Sequence, residues 1–167
     1  MQQAQIRYAQ LDDAESGSRL AWRAKSGWGY STEWLELWRQ SLTITSEYMR
    51  AHESFVAVEG EQLVGVCILE SRGGEGALEH LWIEPAYQRQ GIGRALVERA
   101  LASAASGGLS RVQVESDPFA EAFYTGLGAR RVGLRPAPMP GAPERTLPLL
   151  EFTLADLPDA AKIEQAC

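Results

Sequence analysis

The chain has 167 residues, 45% hydrophobic and 23% charged, which is enough for one domain with a buried core and speaks against disorder. Its formal charge of −6 disfavours a sequence-independent grip on a nucleic-acid backbone, which rests on clustered Lys and Arg. The start MQQAQIRYAQ has no secretory pattern, no apolar run reaches membrane-spanning length, and Cys67, Cys167, His52 and His80 have neither disulfide nor zinc spacing; a cytoplasmic protein with no metal, membrane or nucleic-acid partner is expected.

Gln5 to Ala9 alternates apolar and polar side chains and reads as a first strand. A helix follows through Lys25, with Asp12 or Asp13 as its N-cap, and the loop Ser26 to Tyr30 (SGWGY) breaks it. Ser31 or Thr32 caps a second helix whose broad apolar face holds Trp34, Leu35, Leu37, Trp38 and Leu42. After a short helical piece near Ser46 to Arg50, the period changes. Phe55 to Ser71 reads as two strands around the turn Glu59-Gly60-Glu61, and a third strand, Ala77 to Ile83, follows the turn Arg72 to Gly76.

Next comes AYQRQGIGRALVERAL, Ala86 to Leu101. Ile92, Leu96, Val97, Ala100, Leu101 and Ala104 form the stripe of a half-buried helix, which Gly107-Gly108 stops. The strand Arg111 to Ser116 leads to Asp117-Pro118, an N-cap with proline at the first helical position. Its helix, FAEAFYTGLG, ends at Gly126 to Gly128. Ala129 to Arg135 and Arg145 to Leu154 are a closing pair of strands joined by the proline-rich loop Pro136 to Pro143. With no internal repeat or linker, residues 1–167 are expected to form one domain, its core at 4–155 and a loosely held tail at 156–167. The order implies an α/β fold of the α+β kind: a mixed, mostly antiparallel, twisted sheet of about six or seven strands with helices on both faces.

The turn at Gln88 to Gly93 joins a strand to a helix, so its backbone N–H groups and the positive helix end converge on one point. Two readings are open there, an anion cradle or a plain connection that uses glycine for backbone freedom. A Walker loop is excluded because Arg94-Ala95 follows Gly93, and a dinucleotide fingerprint because Leu96 holds the third small-residue position.

QRQGIG (Gln88 to Gly93), followed by RAL and preceded by a strand, together with DPFAEAFYTGLGARRVG (Asp117 to Gly133), resembles the GNAT superfamily of acetyl-CoA-dependent N-acetyltransferases. The element order agrees with that family from Ile6 to about Leu154. The resemblance implies that backbone groups of Leu81, Trp82 and Ile83 pair with the pantetheine arm of acetyl-CoA. It further implies that Gln88, Arg89, Gln90, Gly91, Ile92, Gly93 and Arg94 hold the pyrophosphate. Tyr124 falls where the family's general acid sits, against a second reading as a packing aromatic. Glu79 falls where many members carry a base or a water-relaying carboxylate, against a solvated strand carboxylate; for His80 and Glu115 the structural reading is favoured. One departure is Phe119, where close-looking relatives carry Asn.

The same resemblance puts Trp28, Tyr30, Trp34, Trp38 and the loop Pro136 to Pro143 at the border of the acceptor cleft. Tryptophans at helical spacing read as packing residues, so Trp34 and Trp38 are assigned to the core, and Trp28, between glycines, to the pocket. The implied reaction is direct transfer of acetyl from acetyl-CoA to a primary amine, of a small molecule or a peptide, in a ternary complex. A non-catalytic acyl-CoA-binding module on the same fold is the alternative, and homodimers are common in the family.

Overall fold

The computed structural model describes residues 4–157. Its elements are β1 (Gln5–Tyr8), α1 (Asp13–Ser26), α2 (Thr32–Leu42), α3 (Ser46–Ala51), β2 (Glu53–Glu59), β3 (Gln62–Arg72), β4 (Glu75–Ile83), α4 (Ile92–Ser106), β5 (Arg111–Glu115), α5 (Glu121–Gly126), β6 (Arg130–Pro136) and β7 (Thr146–Thr153). The seven strands make one mixed, mostly antiparallel sheet in the order β1-β2-β3-β4-β5-β7-β6. The described residues fall into two compact units: one runs up to Leu69 and takes in Glu79–Ala100, and the other joins Glu70–Leu78 to the residues from Leu101 on.

In the first unit β2 and β3 are continuous apolar runs because both faces are covered, and Phe55, Val56, Val64, Val66 and Ile68 are fully buried. Gly60, at φ +60°, turns β2 into β3 with Glu59 opposite Gln62. Leu20 and Ala24 of α1, Ile44 and Met49 pack in one cluster with Val56, Val66 and Ile68. The start of α1 is fixed by a different residue from an ordinary cap. The Asp12 side chain makes no capping bond; Asp13 instead accepts from the Gln10 N–H at 2.7 Å and from both Arg7 nitrogens at 2.7 and 3.1 Å. Burial alone would raise the Asp13 pKa, but these donors outweigh it and hold it below its ordinary value. On α2, Ser31 caps by accepting from the Trp34 N–H at 3.2 Å. Of the expected apolar face only Leu35 and Leu42 are buried, and Leu37 is exposed.

Gly65 of β3 sets how close α4 comes to this part of the sheet. A Cβ built on it would lie 2.8 Å from Leu96 Cδ1, 3.1 Å from Ile83 Cδ1 and 3.2 Å from Ile92 Cγ2. Ile92, Leu96, Val97 and Ala100 are all buried, as the stripe requires.

In the second unit the β3–β4 connection is tighter than the five-residue turn read from the sequence. Strand geometry runs on through Arg72 and resumes at Glu75, because Gly73 and Gly74 both take positive φ, 56° and 86°. β4 and β5 are parallel over only two pairs, Gly76↔Val112 and Ala77↔Gln113. β5 then pairs antiparallel with β7, placing Val112 opposite Phe152 and Val114 opposite Leu150, all buried. The late helix divides into a 3-10 turn at Pro118–Ala120, capped by Asp117 accepting from the Phe119 N–H at 3.0 Å, and α5. The expected loose tail lies from residue 158 on outside the described residues; Leu154–Asp156 form a 3-10 turn. Among the described residues no helix is long and apolar enough to cross a membrane.

Candidate active site

The loop between β4 and α4 is tied to its own base. The Glu84 N–H donates to the Val64 carbonyl at 2.9 Å, which anchors the end of β4 to β3. Residues Pro85–Tyr87 then make one 3-10 turn, and the carboxamides of Gln88 and Gln90 donate back to the Ile83 and Ala86 carbonyls at 3.3 and 3.1 Å. Arg23 of α1 forks onto the Glu84 carboxylate with contacts of 2.7 to 3.1 Å, and this pairing raises the Arg23 pKa. Tyr87 donates to Glu59 at 2.5 Å, which holds its phenol protonated to higher pH than usual.

Two residues of this loop have left-handed backbone, Gly91 at φ +84° and Arg89 at φ +62°. Left-handed residues set between extended and helical ones turn successive N–H groups toward one side, which makes a concave anion site. A Cβ on Gly91 would meet nothing within 4 Å, so its glycine is required by the backbone angle and the space above the loop is open. The Ala95 N–H donates to the Gly91 carbonyl at 3.0 Å, so α4 starts directly beneath, adding its positive end. Gln88 to Gly91 and Arg94 are exposed, while Ile92 is buried. These features fit a diphosphate group.

On β4 Gly76, Leu78 and His80 are buried in alternation, and Glu79 is exposed on the other face. Leu81, Trp82 and Ile83 are half-buried and lie beyond the two-pair ladder with β5. His80 is 9% exposed, accepts at Nδ1 from the Trp82 indole N–H at 3.0 Å, and meets the Tyr48 ring edge-on at 5.7 Å. Glu115 pairs with Arg135 at 3.4 Å. Tyr124, in the second unit, is 6% exposed on α5, with the Phe123 ring 5.1 Å away. Phe119 is 64% exposed. Among the described residues no group of His, Cys, Asp and Glu could hold a metal ion.

Tyr30, Trp34 and Trp38 form one aromatic cluster in the first unit. Tyr30 stacks on Trp34 at 5.8 Å and meets Trp38 edge-on at 4.9 Å, and Trp28 lies 5.9 Å from Trp82. Trp34 and Trp38 are half-buried and belong to the same cluster as Tyr30. The sequence reading did not single out Lys25, whose ammonium lies by Tyr30 and Trp38, and it named Arg89 without foreseeing its left-handed backbone. The signal for Lys25 was its place, one turn before an aromatic-rich loop; a positive φ at an arginine has no sequence signal.

The chain is similar to known proteins. The acetyltransferase (GNAT) family model matches residues 15–129. The N-alpha-acetyltransferase RimI of Mycobacterium tuberculosis is 37% identical over 95 residues, 53% of this chain; the match spans 60% of that relative's length. Among solved structures, the PaiA N-acetyltransferase of Thermoplasma acidophilum, in complex with coenzyme A, has a TM-score of 0.73 at 17% identity, over 91% of this chain and 99% of that one. The ribosomal-protein-S18-alanine N-acetyltransferase of Escherichia coli has a TM-score of 0.69 at 18% identity, over 94% of this chain and 97% of that one. At such identities the structures speak for the fold, and the family model speaks for descent: the chain belongs to the GNAT family of acetyltransferases.

Proposed function

We propose that the chain acts as one N-acetyltransferase domain that moves acetyl from acetyl-CoA to a primary amine by direct attack in a ternary complex. The observation that carries this reading is the loop Gln88 to Arg94, with Arg89 and Gly91 left-handed at the mouth of α4. Its N–H groups would bind the pyrophosphate, while the backbone of Leu81 to Ile83, outside the ladder with β5, would pair with the pantetheine arm. The co-substrate supplies an acyl group activated as a thioester.

An acceptor amine is mostly protonated at neutral pH and must lose a proton before it attacks. Glu79, exposed on β4, is the carboxylate assigned to take that proton, directly or through water. The C–N bond forms as the C–S bond breaks, Tyr124 gives its phenolic proton to the departing thiolate, and the second proton that the new amide nitrogen loses restores the phenol through solvent. As acceptor we favour the α-amine of a peptide, because the curated relative at 37% identity is an N-alpha-acetyltransferase.

The test is coenzyme A release with a panel of peptide and small amines. Transfer is expected, and it is lost in Gly91→Glu, whose side chain and carboxylate would occupy the anion site. Tight coenzyme A binding with no transfer to any amine would refute catalysis and leave an acyl-CoA-binding module.

A further inference from the structure

Glu84 opens the loop between β4 and α4, and its backbone is held on both sides. Its N–H donates to the Val64 carbonyl at 2.9 Å, and its carbonyl accepts from the Tyr87 N–H at 2.8 Å. Its side chain is 14% exposed, so the carboxylate keeps little water. Arg23, reaching across from α1, supplies the missing partners: Nε lies 3.0 and 3.1 Å from the two oxygens, and Nη2 lies 2.7 Å from Oε2. The charge of Glu84 also reaches into the loop. The Tyr87 phenol is held protonated first by its bond to Glu59, and the Glu84 carboxylate is among the lesser charges acting in the same direction. A carboxylate so placed works against any anion held by the residues that follow.

We propose that Arg23 is a positioning residue for the anionic donor, acting through Glu84: it cancels the carboxylate charge at the base of the cradle loop, so that Glu84 ties the loop to α1 without repelling the phosphates. This rests on the reading of Gln88 to Arg94 as the site of the coenzyme A pyrophosphate. A carboxylate drawn out of water is costly unless paired, and removal of one partner leaves the other as a bare charge. With Arg23 in place the pair is close to neutral, and the helix end and the loop N–H groups act on the phosphates unopposed. Without it the loop carries a fixed negative charge that a diphosphate must approach. The effect belongs to the charge of Arg23 and not to the shape of its fork, so a lysine there serves the same end.

The experiment is calorimetric titration of coenzyme A into the wild type, Arg23→Gln, Arg23→Lys, Glu84→Gln and the double variant Arg23→Gln/Glu84→Gln. In Arg23→Gln the Kd rises about tenfold at low salt, and the gap narrows at about 0.5 M sodium chloride, where charges are screened over a few ångströms. Arg23→Lys keeps the wild-type affinity. Glu84→Gln binds at least as tightly as the wild type, and the double variant, which has neither charge, returns to within about twofold of it. A merely structural fork behaves otherwise: Glu84→Gln then loses as much affinity as Arg23→Gln, and the double variant does not recover. Either of those results overturns the proposal. If Arg23→Gln does not fold, weaker binding in Glu84→Gln still overturns it and tighter binding supports it. Absence of coenzyme A binding to the wild type refutes the pyrophosphate reading of the loop and the proposal with it, whereas wild-type binding that Arg23→Gln leaves unchanged refutes the proposal alone.

Discussion

Gly65→Ala is the substitution by which the packing under the cradle can be tested. The new methyl would stand 2.8 Å from Leu96 Cδ1, with Ile83 and Ile92 at 3.1 and 3.2 Å, where carbon atoms prefer about 3.5–4.0 Å. Leu96 is fully buried and has no solvent to swing into. Relief must come from moving α4 or straining rotamers, and such overpacking costs about 1–3 kcal/mol. For a chain of this length that lowers Tm by about 2–12 °C. Because Ile92 opens α4, a shift of the helix also moves the loop Gln88 to Gly91, and coenzyme A affinity should fall with stability. Differential scanning fluorimetry and calorimetric titration read the two effects. Leu96→Val, which removes the clashing methyl, should restore both in the double variant, with a coupling of about 1 kcal/mol or more. A Tm unchanged to within about 1 °C in Gly65→Ala would refute the reasoning.

Tyr124→Phe should lower kcat about 100-fold or more with little change in KM, if the phenol supplies the leaving-group proton; steady-state kinetics with an identified acceptor decide it, and unchanged turnover removes the assignment. Asp13→Asn should cost about 1–3 kcal/mol at neutral pH by weakening the bonds to Arg7 and the Gln10 N–H. The Asp13 pKa is lowered on folding, so the wild-type advantage is full above its ordinary value of 3.8 and disappears as pH falls through the lowered value. Urea unfolding at a series of pH values checks the sign. Burial pushes the Cys67 thiol up to about 12, so peptide mass spectrometry should find Cys67 unmodified by iodoacetamide in the native protein and alkylated after unfolding.

The order of elements and the glycine turn that opens α4 were legible because each rests on local chemistry. The spacing of Ile92, Leu96, Val97 and Ala100 is a helical stripe wherever it occurs, and Gly91 with Gly107-Gly108 punctuates it. Less legible were features decided by the opposite side of a contact. Nothing in VGVCILE says that Gly65 must lack a side chain, since the reason lies on α4, some thirty residues on. Leu37 follows the apolar pattern of α2 and is nonetheless exposed, because helical spacing names a face without naming what covers it. The tryptophans of α2 were read as packing residues on the same ground, and the structure has them half-buried against Tyr30, with Trp38 near the Lys25 ammonium. The shortened turn at Gly73-Gly74 lay within reach of turn rules, which favour consecutive glycines between paired strands.

The left-handed arginine in the cradle has a consequence for the protein in the absence of any ligand. Glycine at position 89 would adopt φ +62° without the steric penalty that an L side chain meets there, about 1–2 kcal/mol. The native sequence therefore carries a local conflict between what the backbone needs and what the side chain offers. An Arg89→Gly protein would free the folded loop of that conflict while giving the unfolded chain more freedom and removing a cation from the rim of the anion site. The two changes act on different observables, thermal stability without ligand and the salt dependence of coenzyme A binding. On the proposed pyrophosphate role of this loop, the backbone angle at position 89 works against folding while the charge there works toward binding, so one residue would trade the stability of the empty protein for affinity.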